Sequence, residues 1–214
     1  MLVRAGDLLG RRVVDIGCGT GRFAAALTER GARVWGVEPT PEMAERARER
    51  LGVTVKSAPA EQLPFKDGWF ERAVMWLVIH LVDRPRAFAE ARRVLGPGGR
   101  LVIATFDPLH FERYWLNQVY PSLDAIDRAR FPTPDELRVE LEAARFETVE
   151  LIPLSQTTAI DREQALERVR GRFISTLQLL DESEYQTGLE RLEQELPERV
   201  EYALEWLVAV ATRP

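Results

Sequence analysis

Apolar and polar positions along this chain change period in a regular order. Arg12-Val13-Val14-Asp15-Ile16 is an apolar run of strand length, and Phe23-Ala24-Ala25-Ala26-Leu27 behind it is spaced like a helix. Val34-Trp35-Gly36-Val37 predicts a second strand. Thr40-Pro41-Glu42-Met43 then reads as N-cap, N1 proline and the acidic first turn of a second helix. Strand and helix patterns continue to alternate up to residue 107, with helical apolar spacing from Pro85 to Leu95. That alternation predicts an α/β fold on a doubly wound, mostly parallel sheet. Beyond Phe106-Asp107-Pro108 the pattern changes. Residues 109–131 are rich in aromatics (His110, Phe111, Tyr114, Trp115, Tyr120, Phe131), and Thr133-Pro134-Asp135-Glu136 caps a helix expected to run to about Arg145. Glu147 to Leu154 alternates like a strand, 161–197 is helical in pattern, and Val200 to Thr212 reads as a strand buried on both faces. No repeat or low-complexity tract interrupts the chain, which is read as one domain over 1–214.

Composition narrows the function. The chain has 214 residues, enough for one α/β domain with a sizeable core. Its formal net charge of −5 is the wrong sign for a binder of phosphate backbones, so no nucleic-acid partner is expected. The longest apolar run, Trp206 to Ala211, is far below membrane-spanning length. Val3-Arg4-Ala5-Gly6-Asp7 breaks any leader-like apolar core, and Cys18 is the only cysteine, so a cytoplasmic location is expected. Of 29 basic residues only Lys56 and Lys66 are lysine, which points to a high-GC coding sequence.

The candidate chemistry lies where the first strand meets the first helix. Gly17, Gly19 and Gly21 stand at alternate positions there. Glycine tolerates positive φ and brings bare amides close to a ligand. The helix behind points its positive end the same way. Roughly twenty residues on, the second strand ends on Glu38, the type and spacing of carboxylate that accepts hydrogen bonds from a ribose. Ligands of such sheets bind beyond the carboxyl ends of the strands, where Gly17–Gly21, Glu38 and His80 are expected to gather. A nucleoside-containing cofactor follows. Dinucleotide folds carry Gly-x-Gly-x-x-Gly, whereas this loop is Gly-x-Gly-x-Gly preceded by Asp15.

With Val13 to Gly31 reading VVDIGCGTGRFAAALTERG, the chain resembles the class I S-adenosylmethionine-dependent methyltransferases, and within them the branch of ubiquinone-biosynthesis and trans-aconitate methyltransferases. Further blocks follow in the family's order. Ala60-Glu61-Gln62-Leu63-Pro64-Phe65 is similar to the "DAE-x-LPF" block, although Pro59 stands where the first acid is usual. Gly68 to His80 resembles the fourth-strand block, and Leu95-Gly96-Pro97-Gly98-Gly99-Arg100-Leu101-Val102-Ile103 the "LKPGGRLVI" turn. The resemblance implies a seven-stranded Rossmann-like sheet whose last strand is antiparallel. Inserts at 109–131 and 161–197 would cover the active site. It implies S-adenosylmethionine as cofactor and S-adenosylhomocysteine as product. The loop with Asp15, Gly17, Cys18, Gly19 and Gly21 would cradle the methionine part, and the strand-end acid would meet its ammonium. Glu38 would hold the ribose, Pro39 would lie against adenine, and Ala60 and Glu61 would border the adenine amino group. Trp76 would stand as a wall.

Each residue also has a plainer role. Asp15 and Glu38 at strand ends could cap helices, Cys18 is not expected to be a nucleophile, and His80 could pack or cap. The implied chemistry is SN2 displacement helped mainly by positioning, with a small-molecule acceptor and no metal. A general base is needed only for a neutral O–H or a carbon acid, and His80, His110 and Glu112 are weak candidates. Arg113, Arg128, Arg130, Arg168, Arg170 and Arg172 could hold an acceptor carboxylate or form solvated faces. Met75 stands where amino-group methyltransferases of the Asn/Asp-Pro-Pro-Tyr type carry a polar residue, and that tetrapeptide is absent. A short-chain reductase would need Tyr-x-x-x-Lys. The residues four after Tyr114, Tyr120, Tyr185 and Tyr202 are Gln118, Asp124, Leu189 and Trp206. A non-catalytic S-adenosylmethionine-binding module is the alternative reading. A monomer or homodimer is expected. Only Met1 to Arg11 precede this motif, fewer than in relatives, so either the sequence begins late or the two inserts alone close the site; they are expected to form a mobile lid, with a dimer interface as the other reading.

Overall fold

The computed structural model describes residues 6–51 and 54–214. Its sheet has seven strands in the order β3-β2-β1-β4-β5-β7-β6. These are β1 (Arg12–Ile16), β2 (Arg33–Val37), β3 (Val55–Lys56), β4 (Phe70–Trp76), β5 (Leu95–Phe106), β6 (Glu147–Asp161) and β7 (Arg199–Thr212). The strands β3, β2, β1, β4 and β5 pair in parallel. β7 runs against β5, with Gly98 N–H donating to Arg213 O at 2.9 Å and Arg213 N–H to Gly99 O at 2.8 Å.

The chain forms two compact units. Unit 1 comprises residues 1–105, 134–152 and 207–214, and unit 2 comprises 106–133 and 153–206. Unit 1 is a helix-covered parallel sheet because its strands are apolar on both faces. Val14 and Ile16, Ala73 and Met75, Leu101 and Ile103, and Ala209 and Ala211 face one core with Phe88, Leu137 and Leu141. Val13, Val74, Val102, Val208 and Val210, from the same strands, face the other core with Ala24 and Leu27. Phe88 lies on α3 (Arg84–Val94), Leu137 and Leu141 on α6 (Pro134–Ala143), and Ala24 and Leu27 on α1 (Arg22–Thr28). A two-pronged ion pair ties α3 to α6, with Arg84 Nε and Nη2 each 2.7 Å from a Glu140 oxygen. The second helix of the sequence, α2 (Pro41–Leu51), starts where its proline and acidic first turn predict.

Unit 2 has its own core of Tyr114, Leu116, Tyr120, Leu123, Leu166, Val169, Leu177, Tyr185 and Leu192 with their neighbours. It contains α4 (Leu109–Arg113), a 3₁₀ turn at Trp115–Gln118, α5 (Pro121–Arg130), α7 (Arg162–Arg170), a second 3₁₀ turn at Ser175–Gln178 and α8 (Glu182–Glu195). Gly188 lies flat against the Tyr120 ring, where a Cβ would sit 2.1 Å from Cε1. Asp161 and Asp181 cap α7 and α8 by accepting from Gln164 N and Ser183 N, each at 2.8 Å.

Three boundaries differ from the sequence expectation. β6 continues to Asp161 instead of stopping near Leu154, because the polar run Ser155-Gln156-Thr157-Thr158 is exposed strand, which local composition does not distinguish from loop. β7 is continuously buried only over Leu207–Ala211, with Val200 buried separately near its start. The helix expected to reach Arg145 ends at Ala143, and Arg145 takes a left-handed φ of 62°. Among the described residues no helix is long and apolar enough to cross a membrane.

Candidate functional site

The predicted loop is built as its glycines require. β1 delivers the chain to Gly17, Gly19 and Gly21, whose φ values are 72°, 54° and 77°. At Gly17 a side chain would also collide, since a Cβ there would stand 2.4 Å from Val78 Cγ2. The amides of Gly17 and Cys18 both donate to Val37 O, at 2.8 and 3.0 Å, so the loop is anchored to the end of β2. Gly21 N–H donates to Cys18 O at 2.9 Å, and α1 starts directly after it without a side-chain cap.

Glu38, one residue beyond β2, holds the loop from the other side. Its Oε2 accepts from Gly19 N at 3.0 Å and its Oε1 from Thr40 N at 3.0 Å. The side chain is buried, yet each oxygen has used only one of its lone pairs, leaving acceptor capacity for two ligand hydroxyls. The sequence pattern gave no sign of this bridge to Thr40.

Asp15, the penultimate residue of β1, is 1% exposed, and neither carboxylate oxygen has a hydrogen-bond partner. Burial and the neighbouring Glu38 push its pKa up to about 7. The Ala24 amide, oriented toward it without closing a hydrogen bond, works in the opposite direction. A buried carboxylate lacking partners costs stability unless a cation or donor meets it. Of the three buried carboxylates among the described residues, Glu38 and Asp127 have partners and Asp15 does not.

The remaining predicted residues divide clearly. Cys18 turns its thiol into a small apolar cluster with Ala44, Ala47 and Val55, where burial pushes its pKa up to about 12, so it packs as a hydrophobe. Pro39 is exposed and Ala60 buried. Glu61 accepts from Asp83 N at 2.7 Å, which fixes the start of α3. Trp76 stacks on Phe23 at 4.8 Å between ring centroids. His80 follows β4 in a turn, two residues after the Val78 that packs on Gly17. Leu77 in the same turn takes φ 51° and donates to Ala104 O at 2.8 Å, a strained position that no sequence signal announced.

His110 lies in unit 2. It is 2% exposed, stacked on Phe106 at 4.1 Å and near Tyr114 at 4.6 Å, and burial lowers its pKa to about 4. A proton acceptor works best with a pKa near the working pH, so this environment suits packing better than general-base catalysis. Glu112 pairs with Arg128 at 3.4 Å. The arginines of the inserts are largely engaged within unit 2. Arg128 also meets Asp124, Arg170 meets Glu193, Arg172 meets Glu182 and lies over Tyr185, and Arg130 donates to Thr176 and Ser175.

Comparison with known proteins agrees with this geometry. The family model described as "Methyltransferase domain" matches residues 14–103. The chain is 32% identical over 163 residues to a demethylmenaquinone methyltransferase of Thermus thermophilus, covering 64% of this chain and 74% of that protein. It is 30% identical over 206 residues to the 27-O-demethylrifamycin SV methyltransferase of Amycolatopsis mediterranei, covering 88% and 72%. Among solved structures, a SAM-dependent methyltransferase of Thermotoga maritima matches all of this chain and 87% of its own, at 31% identity and a TM-score of 0.63. For other curated relatives the match spans less than two thirds of the relative's own length, between 37% and 57%.

Proposed function

The chain belongs to the class I S-adenosylmethionine-dependent methyltransferase family, and from that membership we propose that it methylates a small-molecule acceptor. The observation that carries the reading is Asp15, buried and without a partner beside a Glu38-braced glycine loop. An S-adenosylmethionine molecule brings an ammonium that would meet Asp15 and ribose hydroxyls for the unused lone pairs of Glu38, so the residues fit the group. When bound, it supplies a sulfonium methyl open to displacement.

The chain's own residues then have separable tasks. Asp15, ionised, holds the ammonium, and Gly17, Gly19 and Gly21 leave space where side chains would block the approach. Glu38 orients the ribose while keeping Gly19 and Thr40 in place. Pro39 offers an exposed ring face to adenine, with Ala60 and Glu61 at its edge and Trp76 with Phe23 as a wall. Positioning provides most of the acceleration of a displacement of this kind. Two relatives are named for small organic acceptors, demethylmenaquinone and 27-O-demethylrifamycin SV, which supports the same class here, while a third is named for a malonyl acyl-carrier-protein acceptor. Residues 109–131 and 161–197 are the proposed acceptor cover.

Methyl transfer from labelled S-adenosylmethionine to a panel of hydroxyl, amine, thiol and carbon-acid metabolites tests the proposal. Turnover of at least one acceptor is expected. Tight cofactor binding with no turnover across the panel would make the chain a binding module instead. Hydrogen exchange in both cover segments should slow when product and acceptor are bound together, and unchanged exchange would remove the cover role.

A further inference from the structure

The arginines of unit 2 differ in what holds them. All but one give their N–H groups to carboxylates, to backbone carbonyls or, for Arg130, to the Thr176 and Ser175 hydroxyls. The exception is Arg168 on α7, whose polar and ring contacts among the described residues are all with aromatic side chains. Its Nη1 donates to Tyr202 Oη at 3.4 Å, and its guanidinium stands 6.0 Å from the centre of the Phe173 ring.

The phenol that Arg168 meets leads into a group of donors. Tyr202, on β7, packs edge-on to Tyr114 at 5.8 Å between ring centroids, and Trp115 lies 6.2 Å from Tyr114 and 6.4 Å from Tyr202. Because Tyr202 Oη accepts from Arg168, its own hydrogen is left to donate. Trp115 Nε1 is buried and turned toward the Tyr114 hydroxyl without closing a hydrogen bond. An indole N–H can only donate, and a buried donor costs stability until an acceptor meets it. Burial and the adjoining Tyr202 hold Tyr114 above the ordinary phenol range, while the Arg168 charge works in the opposite direction. Tyr114 therefore stays protonated and able to donate. The carboxylate that acts on it, Asp127, already accepts from the Thr176 hydroxyl. A guanidinium, two phenols and an indole thus bring donors together among aromatic rings.

We propose that the methyl acceptor carries a carboxylate, gripped by Arg168 with Tyr202, Tyr114 and the Trp115 N–H as further donors, and an apolar body that lies along these rings. The inference rests on the reading of residues 109–131 and 161–197 as acceptor cover, which Tyr202 joins from β7, and it adds the substrate class. A carboxylate only accepts, and its two oxygens match the parallel N–H groups of a guanidinium. Its remaining lone pairs suit the hydroxyl and indole donors. Aromatic walls with a few placed polar groups are what a small-molecule site of this kind needs.

The probes are phenylacetate and phenylacetamide, which share a ring and differ in charge, titrated by calorimetry into the full chain saturated with S-adenosylhomocysteine. Phenylacetate should bind saturably, at least about tenfold more tightly than phenylacetamide. Arg168→Gln should weaken phenylacetate at least about tenfold and erase the preference. Arg168→Lys keeps the charge without the fork and should restore only part of it. Tyr202→Phe should weaken phenylacetate about threefold. Arg168 is exposed, so its replacement leaves the core in place, and S-adenosylhomocysteine affinity should stay within about twofold of the parent's. No saturable binding of phenylacetate, equal binding of the two probes, or an unchanged preference in Arg168→Gln would each overturn the proposal. In the methyl-transfer panel, turnover confined to acceptors without a carboxylate would overturn the substrate class and leave the methyltransferase reading standing. The expected probe binding with no turnover of any acceptor would uphold the carboxylate site and overturn that reading.

Discussion

The two units bury their chains by different means. Unit 1 fills both faces of its sheet with aliphatic side chains taken alternately from the same strands, Val14 against Val13, Met75 against Val74, Ile103 against Val102. Unit 2 closes around Tyr114, Tyr120 and Tyr185, and also buries Asp127, Thr176 and His110. Its unpartnered polar atoms include His110 Nδ1, Trp115 Nε1, Asn117 Oδ1 and Tyr120 Oη. In unit 1 the orphaned charge is Asp15, at the carboxyl end of β1, and the Thr105 hydroxyl is unpartnered as well. The one orphaned carboxylate among the described residues thus stands beside the glycine loop, whereas the unpartnered atoms of the tyrosine-lined core are neutral.

Core substitutions separate the two packings with the largest effect. Phe88→Ala, at a fully buried position in unit 1, should cost about 3–5 kcal/mol. Gly188→Ala in unit 2 places a methyl against the Tyr120 ring and should cost about 1–3 kcal/mol, despite alanine's better helix propensity. Denaturant unfolding with the same probes measures both, and the reverse order would put the tighter packing in unit 2.

Glu38→Ala comes next. It would remove the two charge-assisted ribose contacts proposed for Glu38, so cofactor affinity should fall at least about tenfold. It also strands the Gly19 and Thr40 amides, so stability should drop by about 2 kcal/mol. An unchanged dissociation constant by calorimetry would reduce Glu38 to a brace.

Asp15 gives a pH-dependent signature. Its folded pKa of about 7 lies above the ordinary carboxylate value, so the folded chain holds this proton where the unfolded chain releases it. The stability of the ligand-free chain should therefore decline as pH rises from about 4 to about 7, and Asp15→Asn should flatten that decline. Cofactor binding needs the ionised form. Affinity should rise by up to about tenfold per unit as pH approaches 7 from below, and level off above it. A slope that persists in Asp15→Asn would assign the titration to another group. At the low end, Arg170→Ala breaks an exposed ion pair with Glu193 and should cost under about 1 kcal/mol.

Unit 1 was legible because its signals are local. Glycines at Gly17, Gly19 and Gly21, an acid at the end of β2 and proline at the start of α2 each dictate a backbone conformation by themselves. What was not legible depends on partners distant in sequence. The polar second half of β6 is strand, although its composition reads as loop, and the thiol of Cys18 turns toward α2 because Ala44, Ala47 and Val55 leave a space for it. The separate core of unit 2 draws together 106–133 and 153–206, which no local pattern links. The double duty of Glu38 needed the position of Thr40.

The most direct measurement is calorimetric titration of the chain with S-adenosylmethionine, S-adenosylhomocysteine and NAD at pH 8, where Asp15 is ionised. The account predicts binding of both S-adenosyl compounds with micromolar dissociation constants, on the order of 8 kcal/mol, and no heat from NAD. NAD binding with no response to either S-adenosyl compound would contradict it.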